Sequence, residues 1–215
     1  MGGLEGVLEA IDGPMFSGKS EEFIRRIRRH EYAGRKAQLF KSFLDERYFV
    51  DQIASHNGAI LPCIPIKSTE ELLSKLDFNL PVFGIEEVQF LDSRIIEACR
   101  YLADHGKIVI VSGLSMNFRG EPFSFSDKKD HVGSLFAISV TTTLRAICTY
   151  VNGDGRPCGR EADMSQRLIN GQPAPYDASE VFVGGRESYE ARCRGHHFVP
   201  RRPEIVLWPD LVPSQ

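Results

Sequence analysis

The sequence predicts an α/β fold, a mostly parallel sheet flanked by helices, with a smaller ribbon unit behind it. Two observations carry this. Between Val7 and Val111, strand-like runs alternate with segments of helical period, and such alternation builds parallel sheets. Beyond about Ala146 the texture turns to Asn152-Gly153-Asp154-Gly155, Gly171-Gln172-Pro173-Ala174-Pro175 and Gly184-Gly185, with no long helical pattern. A chain of 215 residues lies below the roughly 250 to 300 at which one core stops growing, so one main domain with an appendage is expected. The expected division is 1–145 for the sheet, 146–200 for the ribbon and 201–215 for a C-terminal tail.

The elements follow in order. Val7 to Asp12 alternates and runs into Gly13, which reads as a strand. Gly18 to Ala33 places Phe23, Ile24 and Ile27 at helical spacing and stops before Gly34. Ala37 to Phe40 is a strand, Thr69 to Leu76 a short helix, Val82 to Ile85 a strand and Ser93 to Ala103 a helix. Lys107 to Val111 is a continuous apolar strand of the kind buried on both faces. Arg25-Arg26 and Arg28-Arg29 flank Ile24 and Ile27 and read as a solvated helix face rather than a nucleic-acid grip.

Composition excludes several classes. Gly 19 and Pro 12 stay below the roughly 25 to 30% that marks low complexity, and 42% hydrophobic residues support a globular core. Apolar runs such as Ile108 to Val111 are far shorter than the roughly 18 residues of a membrane span. Met1 to Glu5 has neither a basic nor an apolar leader region, and Gly6 stands where a myristoylation signal needs Ser or Thr, so a cytoplasmic location is expected. A net charge of -3 argues against nucleic acid as a partner. Five cysteines, an odd number, do not form a disulfide framework.

Gly13-Pro14-Met15-Phe16-Ser17-Gly18-Lys19-Ser20 fits GxxxxGKS, directly after a strand and opening a helix. That context turns a glycine-rich turn into a phosphate cradle, a P-loop, and narrows the fold to the P-loop nucleotide-binding kind. Backbone N–H groups close on phosphate oxygens, Lys19 reaches the β- and γ-phosphates, Ser20 ligates Mg²⁺, and the helix N-terminus adds partial positive charge. Phosphoryl transfer from ATP also needs an acidic group at a neighbouring strand end. Glu86 and Glu87, followed by Val88 and Gln89, supply it after the strand at Val82, and parallel strands bring it to the same edge. Ser112-Gly113-Leu114 should arrive there too, with Phe118 as a wall for a flat ligand.

Cys63 and Cys99 lie in apolar sequence and read as buried, inert thiols. Cys148, Cys158 and Cys193 with His196 form a set suited to a closed, structural Zn²⁺ site, the Cys193–His196 spacing being the sharper half. His197 is the alternative fourth ligand.

These features together resemble the type II thymidine kinases, over about Val7 to Val199. The resemblance rests on GPMFSGKS with Glu21-Glu22-Phe23-Ile24-Arg25-Arg26, on Asp45-Glu46-Arg47-Tyr48, Ser55-His56-Asn57-Gly58 and Glu87-Val88-Gln89-Phe90. It continues through Phe118-Arg119-Gly120-Glu121-Pro122-Phe123, Gln166-Arg167-Leu168, Glu187-Ser188-Tyr189-Glu190 and the cysteine set. It implies transfer of the ATP γ-phosphoryl group to the 5′-hydroxyl of thymidine, with Glu87 as the base, and a zinc-anchored lasso over the nucleoside. It further implies Met15, Phe90, Leu114 and Phe118 around the base, Ser165 facing the pyrimidine where a Thr is usual, and Tyr189 with Val181, Phe182, Val183 and Gly184 in the lasso. A homotetramer inhibited by thymidine triphosphate is implied as well. The chain departs from the family pattern at Glu86 and Ser115, both usually Asp, and in the long interval from Cys148 to Cys158.

Two other classes fit parts of the pattern. One is a P-loop ATPase that couples hydrolysis to remodelling of DNA or protein, with Glu87 activating water. The other is a zinc-ribbon binding module with a vestigial phosphate loop, which intact Lys19, Ser20 and Glu87 argue against.

Overall fold

The computed structural model describes residues 5–44, 51–55, 58–185 and 187–204. Asp45 to Tyr48, His56 and Asn57, and most of the expected tail lie outside these residues. In chain order the elements are β1 (Val7–Asp12), α1 (Lys19–Tyr32), β2 (Ala37–Ser42), β3 (Gln52–Ala54), β4 (Ile60–Pro62), β5 (Ile64–Ile66) and α2 (Thr69–Lys75). Then come β6 (Val82–Glu86), a 3₁₀ turn at Val88–Phe90, α3 (Ile95–Asp104), β7 (Ile108–Ser112), α4 (Val132–Ala137) and β8 (Val140–Thr143). The ribbon holds β9 (Ala146–Ile147), β10 (Glu161–Ala162), β11 (Met164–Ile169), β12 (Gln172–Pro173) and β13 (Tyr189–Arg192).

Six strands form one sheet in the order β5-β2-β6-β7-β1-β8, and every pairing in it is parallel. Its central strands β6 and β7 are covered on both faces, as their apolar sequences require, whereas the edge strand β8 is largely exposed. Leu8, Ala10, Phe83, Ile85, Val109 and Val111 face the core under α2, α3 and α4. Ile11, Leu39, Val82, Ile108 and Ile110 face the opposite core, where Phe23, Ile24 and Ile27 of α1 pack. The side-chain period of two thus sorts each strand between two cores. Gly84 lets α1 come close: a Cβ there would lie 2.6 Å from Phe23 Cζ and 2.7 Å from Leu39 Cδ2.

α1 ends where Gly34 takes φ 74, with the Gly34 and Arg35 amides returning to Glu31 and His30 carbonyls, so the C-terminal carbonyls are satisfied. α3 starts later than its pattern indicates. Asp92 and Ser93 close a tight turn on Ile95 and Ile96, which delays the first full helical turn. β2 runs past Phe40 because Lys41 and Ser42 are buried at the sheet edge. The hairpin β3–β4, the edge strands β5 and β8 and the short α4 carry too little periodic sequence to be expected.

Arg26 corrects the solvated-face reading. Its Nη1 reaches Glu9 at 2.7 Å, its Nε Glu22 at 2.8 Å and its Nη2 Thr142 Oγ1 at 2.8 Å, tying α1 to β1 and β8. Arg25 does remain exposed. Cys99 is buried as expected, whereas Cys63 is only half-buried. Burial pushes both thiols up to about 12, which keeps them protonated and inert.

Candidate active site and metal centre

The register sets the site. Ile11 and Glu86 both align with Ser112, so the carboxyl ends of β1, β6 and β7 form one edge. The phosphate loop leaves β1 there, with Gly13 at φ 146, Phe16 at φ 66 and Gly18 at φ 84. Gly18, at the N-cap of α1, offers no side-chain cap of its own. A Cβ on Gly13 would fall 2.5 Å from Leu144 O and 2.7 Å from Ser17 Oγ, so only glycine fits. Ser17 Oγ is buried with no partner among the described residues, and buried Lys19 rests its Nζ on the Gly13 and Pro14 carbonyls at 3.0 and 2.8 Å. An orphan hydroxyl, a lysine folded onto its own loop and an uncapped helix end fit a phosphate chain.

Glu87 follows β6 in the left-handed conformation, φ 57 and ψ 46, which turns its side chain away from the strand direction. Gln89 holds it: Nε2 donates to Glu87 Oε2, while Oε1 accepts the Leu114 amide at 3.2 Å. Both ends of one buried amide are therefore assigned. Gly113 makes room, since a Cβ there would meet Gln89 Oε1 at 2.7 Å. On the other side, Asp12 Oδ1 accepts the amides of Gly13 (2.7 Å) and Ser115 (3.1 Å), and Oδ2 accepts Ser115 Oγ at 2.7 Å. Asp12 and Gln89 so lock the phosphate loop, the β6 end and the β7 end into one frame.

Beside Glu87 opens a narrow cleft. Its floor is Met15, Phe90, Leu114 and Phe123, and its far wall comes from Glu180, Phe182, Val183, Gly184 and Tyr189. The segment carrying that wall is strapped down. Arg119 donates to the Tyr176 and Ala178 carbonyls at 2.7 Å each, Arg167 Nη1 donates to Ser179 O, and Tyr189 Oη donates to Phe182 O at 2.8 Å. Glu180 Oε1 accepts Asn117 Nδ2 at 3.0 Å and the Ser124 amide at 3.3 Å.

In the ribbon, one ligand atom each from Cys148, Cys158, Cys193 and His196 lies within 4.8 Å of the others. His196 Nδ1 is 3.7 Å from Cys148 Sγ and 3.5 Å from Cys193 Sγ. A tetrahedral ion with metal–sulfur bonds of about 2.3 Å sets neighbouring ligands about 3.8 Å apart. The donor set and its spacing therefore fit zinc, with no open position for chemistry. Hydrogen bonds from Arg160, backbone first, bring the Cys158 thiol down to about 6, towards the thiolate a metal takes. Tyr150 stacks on the His196 ring at 4.2 Å and holds it. His196 is the histidine that joins the three thiols, whereas His197 Nε2 lies 2.8 Å from Phe118 O.

A family model described as thymidine kinase matches residues 6–197. The chain belongs to the thymidine kinase family. The family makes it a kinase, a transferase that phosphorylates thymidine in general terms. Among the described residues no helix is long and apolar enough to cross a membrane.

In this kinase the residues singled out from sequence do not all converge. Met15, Glu87, Gln89, Phe90, Leu114, Phe182, Val183, Gly184 and Tyr189 share the cleft. Phe118 is buried beside it under the Arg119 and Arg167 guanidinium groups, at 5.2 and 5.4 Å. Ser165 accepts the amide of Met15, a cleft residue, at 2.9 Å, Val181 is exposed, and Val88 sits in the main core. Glu86 is 3% exposed and aligns with Lys41 of β2. Sequence reasoning passed over Asp12, Phe123 and Glu180, and Arg119 and Arg167 as straps. Their bonds run to backbone or to distant segments, which no local motif announces.

Proposed function

We propose that the protein transfers the γ-phosphoryl group of ATP to the 5′-hydroxyl of thymidine, giving thymidine monophosphate and ADP. The observation that carries this reading is the placing of Glu87 beside Met15 of the phosphate loop, in one apolar cleft with Phe90, Leu114, Phe123 and Tyr189. The amides of Gly13 to Gly18 and the Lys19 ammonium cradle the phosphates. Ser20 and Glu86 are the groups that would hold Mg²⁺, which when bound neutralises charge on the phosphate oxygens. Glu87 accepts the proton of the attacking hydroxyl, a role that contributes about 10² to 10⁴ in rate when the base is held in reach. The Met15, Phe90 and Phe123 side chains pack the base, and the strapped segment from Glu180 to Gly184 shuts water out of the cleft.

Assembly as a homotetramer, inhibition by thymidine triphosphate and the division into 1–145 and 146–200 belong to the same proposal, supported by the family resemblance. The test is ADP formation from Mg·ATP with and without thymidine, with the nucleotide product identified. Thymidine-dependent ADP and matching monophosphate are expected, and Glu87→Gln should abolish transfer while ATP still binds. Equal ADP release without nucleoside would replace the kinase reading by hydrolysis.

A further inference from the structure

The phosphate loop does not stand on the sheet alone. Phe16 holds φ 66, a left-handed conformation that side chains larger than glycine rarely adopt and that persists only when the surroundings impose it. The surroundings here are the main core on one side and the ribbon on the other: Phe16 packs against the main core and also, like Cys158, against the cluster of Ala146, Cys148, Ala162, Ala191 and Cys193. Three of those residues are the thiol ligands of the metal centre. The preceding residue is tied to the same unit, because the Met15 amide donates to Ser165 Oγ at 2.9 Å and Ser165 is buried on β11. Ser165 pairs with Ala191 of β13, two residues before Cys193. Two successive residues of the phosphate loop thus rest on the ribbon that carries the metal cluster.

β11 and β13 pair over four residues, but the arm that carries Cys148 and Cys158 is thin: β9 and β10 pair over only Ala146–Ala162 and Ile147–Glu161, and the cluster it packs on is alanine and cysteine. A core so small needs a staple, and the metal is one. We infer that the metal ribbon braces the phosphate loop, so that zinc occupancy and nucleotide binding are coupled through Phe16 and Ser165. This goes beyond anchoring the segment over the nucleoside. It rests on the readings of the loop as an ATP site and of the Cys₃His set as a zinc site. Coupling between two binding equilibria is reciprocal, so it is measurable from either side.

The experiment uses the zinc-loaded full chain and needs no turnover. Zinc affinity is measured by competition with a chromogenic chelator, with and without a saturating Mg²⁺-bound non-hydrolysable ATP analogue. About fivefold tighter zinc in the presence of the analogue is expected, an effect within the usual range of coupling. Analogue affinity should fall by the same factor on zinc removal. Because the stripped chain can lose the ribbon fold, Ser165→Ala and Phe16→Ala in the zinc-loaded protein carry the second test, and the nucleotide effect on zinc affinity should shrink towards onefold. Zinc affinity that ignores a bound analogue to within twofold, or a full effect surviving in both variants, would overturn the inference alone. A purified protein that binds no analogue, or holds no zinc, would overturn the underlying reading and the inference with it.

Discussion

Arg119→Ala should loosen the wall of the cleft without touching the phosphate loop. Its guanidinium spans the loop from β11 to β13 at its base, giving 2.7 Å bonds to the Tyr176 and Ala178 carbonyls and lying 5.0 Å from the Tyr176 ring and 5.2 Å from the Phe118 ring. Arg119 is half-buried, so water replaces part of what is lost, and each bond counts at the low end, about 1 kcal/mol. The total is about 2 kcal/mol, equivalent to about thirtyfold in an open–closed equilibrium at about 1.4 kcal/mol per decade. Apparent affinity falls only once the closed form ceases to dominate, which reduces the expected rise in thymidine KM to about tenfold. Arg119→Lys, a point charge reaching one carbonyl, should fall between the two. Steady-state kinetics with thymidine varied at saturating ATP measure this, and hydrogen exchange over 176–185 should quicken in parallel. A thymidine KM within twofold of the parent, with exchange unchanged, would refute the strap.

Three further outcomes follow from the geometry. Gln89→Leu removes the donor to Glu87 and should lower kcat by about 10- to 100-fold with thymidine KM changed less than about threefold; equal losses in both would mean that Gln89 serves binding instead. Glu22 is held down to about 2 from 4.5, first by its hydrogen bond to Arg25 and also by Arg26. A depressed carboxyl stabilises above its unfolded value and loses that contribution as pH falls through the window from 4.5 to about 2, so Glu22→Gln should cost about 1 kcal/mol at neutral pH and progressively less below pH 4.5. A deficit constant across that window in denaturant titrations would contradict the ion-pair account. Gly84→Ala sets a methyl 2.6 Å from Phe23 and 2.7 Å from Leu39, and overpacking of this kind should cost about 1 to 3 kcal/mol; a Tm equal to the parent's would show that α1 yields freely.

Much of this site is legible because its chemistry is local. A strand, a glycine-rich turn and a helix start encode the phosphate loop within one stretch, and a carboxylate after Ile85 is placed by parallel pairing alone. Cys193 and His196 announce a metal by spacing, and the structure brings them together with Cys148 and Cys158, the partners read from sequence. What the residues do not announce is how they brace one another. Arg26 looks like any surface arginine until β8 arrives with Thr142. Asp12 reads as the polar end of a strand, yet it ties down Ser115, at one of the positions where the family usually has an acid. Ser165, expected at the pyrimidine, also holds a backbone amide of the phosphate loop, which its own stretch of sequence does not announce. Short edge strands such as β5 and β8 are set by their neighbours rather than by their own periodicity.

The bond between Met15 and Ser165 joins residues 150 positions apart. Synthesis runs from the N-terminus, so the phosphate loop leaves the ribosome long before the strand that buttresses it. A nascent chain carrying β1 and α1 has every residue of the nucleotide motif but not its rear support, and closing so long a loop is an entropic cost met only after the sheet has formed. The first motif to be made is thus the last to be finished. ATP affinity gained during refolding should trail the recovery of sheet signal, and a chain ending before Met164 should fold its sheet without acquiring the affinity of the whole.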